Sequence, residues 1–141
     1  MGKNIIEEVK EKFGDKIVDF FIKNNRRCYI EIKPQDIIEC AKILFEEMNF
    51  RFATATGIDC EKHLEILYHF SYDKTGIIVS LRVKLDKKNP EIESLTQVFT
   101  AAEWIEREIW EMLGVNFKGH PNLKHLLLPD DWPEGKHPLR E

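Results

Sequence analysis

Hydrophobic periodicity runs through this chain as far as Gly114 and then stops. Upstream, apolar residues recur at helix or strand spacing. Downstream come Phe117-Lys118-Gly119-His120-Pro121, then Leu126-Leu127-Leu128-Pro129-Asp130-Asp131-Trp132-Pro133, then His137-Pro138-Leu139-Arg140. That strip is too rich in proline for a helix and too apolar to remain in water. The pattern predicts an α+β domain over residues 1–114 and an extended tail over residues 115–141 that docks on a partner protein. At ~3.3 Å per residue the tail would reach roughly 80 Å at most, enough to cross most of a neighbouring subunit.

The patterned part reads as alternating helices and strands. Asn4 followed by Glu7 is a capping-box signature, and Ile5, Ile6, Val9 and Phe13 form a helical face ending at Gly14. Residues 16–23 are β-branched and aromatic, Asn24-Asn25-Arg26 is a turn, and Cys28, Ile30 and Ile32 alternate with Tyr29, Glu31 and Lys33. Together these predict a β-hairpin. Pro34 and Asp36 open a second helix carrying Ile37, Ile38, Ala41, Leu44, Phe45 and Met48 at helical period. A strand over about residues 50–56 ends at Gly57. A second hairpin joins residues 63–72 to 77–85 through Asp73-Lys74-Thr75-Gly76. A short helical piece from Ser94 precedes a longer helix from about Thr100 to Leu113. The fold class is α+β, with helices packed on a mainly antiparallel sheet of about five strands.

Composition excludes several functions. A net charge of -4 argues against nucleic acid, which demands a basic face, and Lys84, Lys87 and Lys88 read as a solvated loop. No apolar run approaches the ~20 residues that span a bilayer. Met1-Gly2-Lys3-Asn4 lacks the apolar stretch of a signal peptide, and Ile6 stands where myristoylation wants Ser or Thr. A cytoplasmic protein is the expectation. Cys28, Cys40 and Cys60 have neither disulfide-framework nor cluster spacing, so the chain is not expected to carry electrons itself.

The charged and histidine-bearing positions each admit two readings. In the late helix, Glu103, Arg107 and Glu111 are successive i,i+4 partners on one face, beside a core stripe of Ala101, Ile105, Ile109 and Met112. Glu108, between Ile105 and Met112, is either a catalytic acid or a glutamate tied to a basic group or backbone amide; the tied reading is favoured. His120, His125 and His137 lie near Asp130 and Asp131 in sequence but lack metal-ligand spacing. His63 and His69 fall on a hairpin surface. Asp130 and Asp131, adjacent in an extended chain, would point in opposite directions. No nucleophile motif or phosphate loop is present, so catalytic, cofactor and metal residues are all expected to be none.

Glu106-Arg107-Glu108 with Glu111, Gly114, Phe117, Gly119-His120-Pro121 and Leu128-Pro129-Asp130-Asp131-Trp132 resembles the signature of the respiratory complex I 30 kDa subunit family. That family includes the 30 kDa-type subunit of NADH:quinone oxidoreductase (NADH dehydrogenase) and the corresponding subunits of energy-converting NiFe hydrogenases. The motif match spans roughly residues 94–140. The resemblance implies a cofactor-free subunit of a peripheral arm, on the cytoplasmic face of a membrane complex but without a membrane span of its own. Its partner would be the large subunit holding the quinone site or the NiFe centre, with iron–sulfur clusters in partner subunits. Phe117, His120, Pro121, Leu126, Leu128, Pro129, Asp130, Asp131, Trp132, Pro138 and Arg140 would then be the docking residues. Glu106, Arg107, Glu108, Glu111 and Gly114 would form the structural motif. The ending from Trp132 to Arg140 and the short length lean toward the hydrogenase-type, ferredoxin-linked branch.

Two rival readings are a free-standing protein-binding module and a small metal-dependent hydrolase using the tail histidines and aspartates. In isolation the protein could self-associate through its apolar tail. Cutting after Gly114 is expected to leave the domain folded and to abolish assembly.

Overall fold

Asn4 caps the first helix: its side chain accepts a 2.9 Å hydrogen bond from the Glu7 backbone N–H. Helix α1 (Ile5–Phe13) follows and buries Ile6, Val9 and Phe13. The computed structural model describes residues 4–124, 128–129, 131–133 and 135–140. Strands β1 (Ile17–Asn24) and β2 (Arg27–Ile32) form the expected hairpin, with Cys28, Ile30 and Ile32 turned inward. Pro34–Asp36 is a 3-10 turn that leads into α2 (Ile37–Lys42), and the same helix continues over Ile43–Glu47 in π geometry.

Strand β3 (Arg51–Asp59) runs two residues beyond Gly57, where the sequence pattern suggested a stop. The glycine has a packing reason instead. A Cβ there would sit 2.5 Å from Leu113 Cδ1 and 3.2 Å from Ile109 Cγ2, so its absence lets helix α3 (Ala102–Leu113) lie directly against the strand. Strands β4 (Leu64–Tyr72) and β5 (Ile77–Leu85) make the second hairpin. The five strands lie in the order β1-β2-β5-β4-β3, with β2 and β5 parallel and every other pair antiparallel. One face of the sheet buries Ile30, Ile66, Tyr68, Phe70, Val79 and Leu81 with the helices. The other face is half-exposed and pairs charges across strands, Glu65 with Arg82 and Glu31 with Lys84.

The core does not end at Gly114. After α3, strand β7 (Asn116–Lys118) pairs in parallel with β6 (Glu91–Glu93), setting Phe117 opposite Ile92. Val115 and Phe117 are buried while Asn116 and Lys118 are exposed, a period-two pattern too short to register in the sequence. This corrects the boundary placed at Gly114. It also removes Phe117 from the docking residues, because a side chain 1% exposed has no surface to offer.

Among the described residues no helix is long and apolar enough to cross a membrane. Cys28 and Cys40 are free and buried, and burial pushes their thiols up to about 11 and 12.

Candidate functional site

Three charged side chains of α3 are buried: Glu106, Arg107 and Glu111. Such burial demands partners, and each has them. Glu106 accepts from Ser94 Oγ at 2.6 Å and from the Leu95 backbone N–H at 2.8 Å, which ties α3 to the connection after β6. Burial pushes its carboxyl up to about 7, against the downward pull of those two hydrogen bonds. The buried Tyr68 phenol is pushed well up by its own burial and then by the Glu106 charge.

The core stripe of α3 therefore differs from the expected one. Ala102, Glu106, Ile109 and Leu113 are buried, Ala101 is exposed, and Ile105 and Met112 are half-buried. An apolar-periodicity reading places a glutamate outside, and a carboxylate with two dedicated donors is the exception to it. The tied glutamate is Glu106 and not Glu108.

Arg107 and Glu111 reach the tail. Arg107 Nε donates to the Lys124 carbonyl at 3.3 Å, and its guanidinium stands 5.3 Å from the Trp104 ring centre. Glu111 Oε1 accepts from the Leu128 N–H at 2.7 Å. One turn before Arg107, the Glu103 carbonyl accepts from His120 Nε2 at 2.9 Å, while His120 Nδ1 accepts from the Asn122 N–H at 2.9 Å. Both ring nitrogens are engaged, which fixes the neutral tautomer with its proton on Nε2. Glu103, Arg107 and Glu111 are spaced by four, and so are His120, Lys124 and Leu128. The tail climbs α3 turn by turn.

It then closes the helix end. His137 Nδ1 donates to the Glu111 carbonyl, the Leu139 N–H to that of Met112, and Arg140 Nη1 to that of Leu113, all at 2.9 Å. Arg140 Nη2 also donates to the Lys87 carbonyl at 2.9 Å. Three consecutive carbonyls left open by the helix terminus are thus satisfied, with a cation at the negative end of the dipole. The described part of the tail lies back on its own domain, because those carbonyls and the motif charges of α3 give its backbone and side chains partners there.

The expected docking residues accordingly separate. His120 and Arg140 are engaged with α3, and Leu128 is half-buried with its N–H on Glu111. Trp132 is half-buried, its Nε1 donating to the Lys136 carbonyl at 2.8 Å. Pro121, Pro129, Asp131 and Pro138 are exposed. Leu126 and Asp130 lie outside the described residues. Trp104, 62% exposed, escaped the sequence reading, whereas Leu139, 58% exposed, belongs to the apolar tail strip read from the sequence. A tryptophan one residue off the apolar stripe of α3 was the available signal for Trp104.

Metal-ligand types converge elsewhere than expected. Among the described residues, Cys60, His63 and Glu65 bring donor atoms within 4.8 Å of one another at the β3–β4 turn. Glu65 already meets His63 Nε2 at 3.2 Å and Arg82 Nε at 3.3 Å, and Lys87 Nζ lies 2.6 Å from Asp59 Oδ1 beside them. With Arg82 on Glu65 and Lys87 on the neighbouring Asp59, the cluster reads as part of an ion-pair network. In the tail, His120 has both nitrogens committed and His137 spends Nδ1 on a carbonyl, which weakens the hydrolase reading built on them.

A mixed sheet backed by helices, with the described part of the tail bound along its last helix, defines the class of domain. The family described as respiratory-chain NADH dehydrogenase, 30 Kd subunit, matches residues 30–141, and this protein belongs to that family. It is 35% identical over 143 residues to a subunit of the F(420)H(2) dehydrogenase of Methanosarcina mazei, the match taking in 99% of this chain and 90% of that one. It is 32% identical over 143 residues to a subunit of the NADH-quinone oxidoreductase of Salinispora tropica, the match taking in 96% of this chain but only 57% of that protein's length. One chain in the structure of the membrane-bound sulfane sulfur reductase, an archaeal respiratory membrane complex, shares the fold. Its TM-score is 0.81 at 23% identity, over 96% of this chain and 81% of that one.

Proposed function

We propose that this chain is a non-catalytic subunit in the peripheral arm of a complex I-like oxidoreductase, on the cytoplasmic face of a membrane. Its partner is the large subunit that holds the quinone site or the NiFe centre. Iron–sulfur clusters belong to neighbouring subunits, and the protein assists assembly. One observation carries the reading. The charged signature residues Glu106, Arg107 and Glu111 are engaged with the chain's own backbone or Ser94. A motif used in this way builds a rigid display, not an active site. Exposed Pro121, Pro129, Asp131 and Pro138 on the tail supply contact groups whose backbone is already held in place, which lowers the ordering cost of docking.

Affinity purification of the tagged protein from gently solubilised membranes of its own host, followed by mass spectrometry, tests this. Recovery of a large quinone-site or NiFe-type subunit with iron–sulfur partners is expected. Recovery of the tagged protein alone would overturn the assembly role.

A further inference from the structure

Strand β3 closes one side of the sheet, and its ladder partner is β4 alone among the described residues. Its outer backbone groups can therefore accept another strand. Along this edge, between β3 and α3, run two adjoining cavities of about 360 and 190 Å³ that share Ile105 and Glu108. The strand side is built from small residues such as Ala53, Thr54 and Gly57, which permit close backbone approach. Trp104 lines the first cavity and Leu139 the second, each more than half exposed.

Glu108 stands at the junction. It is half-exposed, and no hydrogen bond or ion pair reaches it from the described residues, although Glu106, Arg107 and Glu111 on the same helix are all engaged. No Lys or Arg lines either cavity among the described residues. Trp104 and Glu108 are one helical turn apart, so a cation entering there would meet a carboxylate and an aromatic ring together.

We propose that this seam receives an extended segment of the large partner subunit, apolar but for one Lys or Arg. The segment adds a strand to β3 and sets its cation against Glu108 beside Trp104. Charge complementarity selects this occupant. A second copy of this chain docked through the same seam would oppose carboxylate to carboxylate, which is destabilising in a partly desolvated site. The proposal rests on the partner-subunit reading above and assigns it a second surface, separate from the tail.

The test compares tagged wild-type, Glu108→Lys and Glu108→Gln proteins by co-purification from host membranes, with thermal melts of each purified protein as a folding control. With melts unchanged, Glu108→Lys is expected to lower recovery of the large subunit by about tenfold or more, and Glu108→Gln by less. A photo-crosslinker replacing Thr54 should capture one peptide of that subunit with a Lys or Arg in it. Equal recovery by wild type and Glu108→Lys, or capture of a second copy or of a helical peptide, overturns the groove while leaving the assembly role intact. Failure of wild type itself to recover the subunit would instead defeat the underlying reading.

Discussion

The His137 ring lies against Gly114 so closely that a Cβ on the glycine would fall 2.7 Å from ring Cδ2 and 2.8 Å from Nε2. The same ring donates from Nδ1 to the Glu111 carbonyl. The residue that ends α3 and the residue that returns to cap it are thus one packing unit, although 23 positions separate them in sequence (137 minus 114). This contact explains why a glycine is needed twice over, once for its backbone and once for its missing side chain.

Gly114→Ala should therefore be costly. Gly114 has φ +80°, in the left-handed region that costs a residue with a Cβ about 1–2 kcal/mol. Displacing His137 adds to that, so a loss of about 2–3 kcal/mol in urea unfolding is expected. A change under about 0.5 kcal/mol would show that the ring does not pack there.

Arg140→Ala tests the cap from the other side. The substitution removes two donors, one to Leu113 and one to Lys87, and a cation from the helix C-terminus. A destabilisation of about 1–2 kcal/mol is expected, with Arg140→Lys recovering part of it because the charge remains but the planar fork does not. Full recovery by lysine would mean that charge alone, and not the paired geometry, closes the helix.

Much of this architecture was legible in the sequence. Local signals sufficed for the Asn4 cap, both hairpins and α2, because those elements are set by neighbours in the chain. The family resemblance set Glu106, Arg107, Glu108, Glu111 and Gly114 apart as one motif, but periodicity did not reveal that Glu106 is buried. What stayed hidden depends on contacts made far along the chain. Phe117 joins the core only because Ile92 offers it a strand, and His120 and Arg140 turn inward only because α3 presents carbonyls to them. A proline-rich composition looks the same whether it lies on a partner or on its own domain.

The pH dependence of stability should carry the mark of Glu106. Its folded pKa, about 7, lies above the ordinary 4.5, so the folded state holds the proton more tightly than the unfolded state does. Its contribution is thus most favourable below pH 4.5 and is lost as pH rises from 4.5 to about 7. The loss is roughly 3 kcal/mol when integrated over the shift. Glu106→Gln removes the titration, so the difference in stability between wild type and variant should change by about that amount between roughly pH 4.5 and pH 8. Parallel stability curves for the two proteins would place the ionised carboxylate in water instead.

Truncation now has a different expected outcome from the one that periodicity suggested. Ending the chain at Gly114 deletes Val115 and Phe117 from the core and leaves β6 without its strand partner. Loss of a buried phenylalanine alone costs about 3–5 kcal/mol, a large part of the ~5–15 kcal/mol that holds a domain together. Such a truncation should lose its near-ultraviolet circular dichroism and its cooperative melt. Ending the chain at Lys124 keeps the core strand, the His120 bond to Glu103 and the Arg107 bond to Lys124. It gives up the helix cap and the Leu128 bond to Glu111, so it should fold with a lowered melting temperature. A cooperative melt from the Gly114 truncation would return the domain boundary to the end of α3 and make β7 part of the tail.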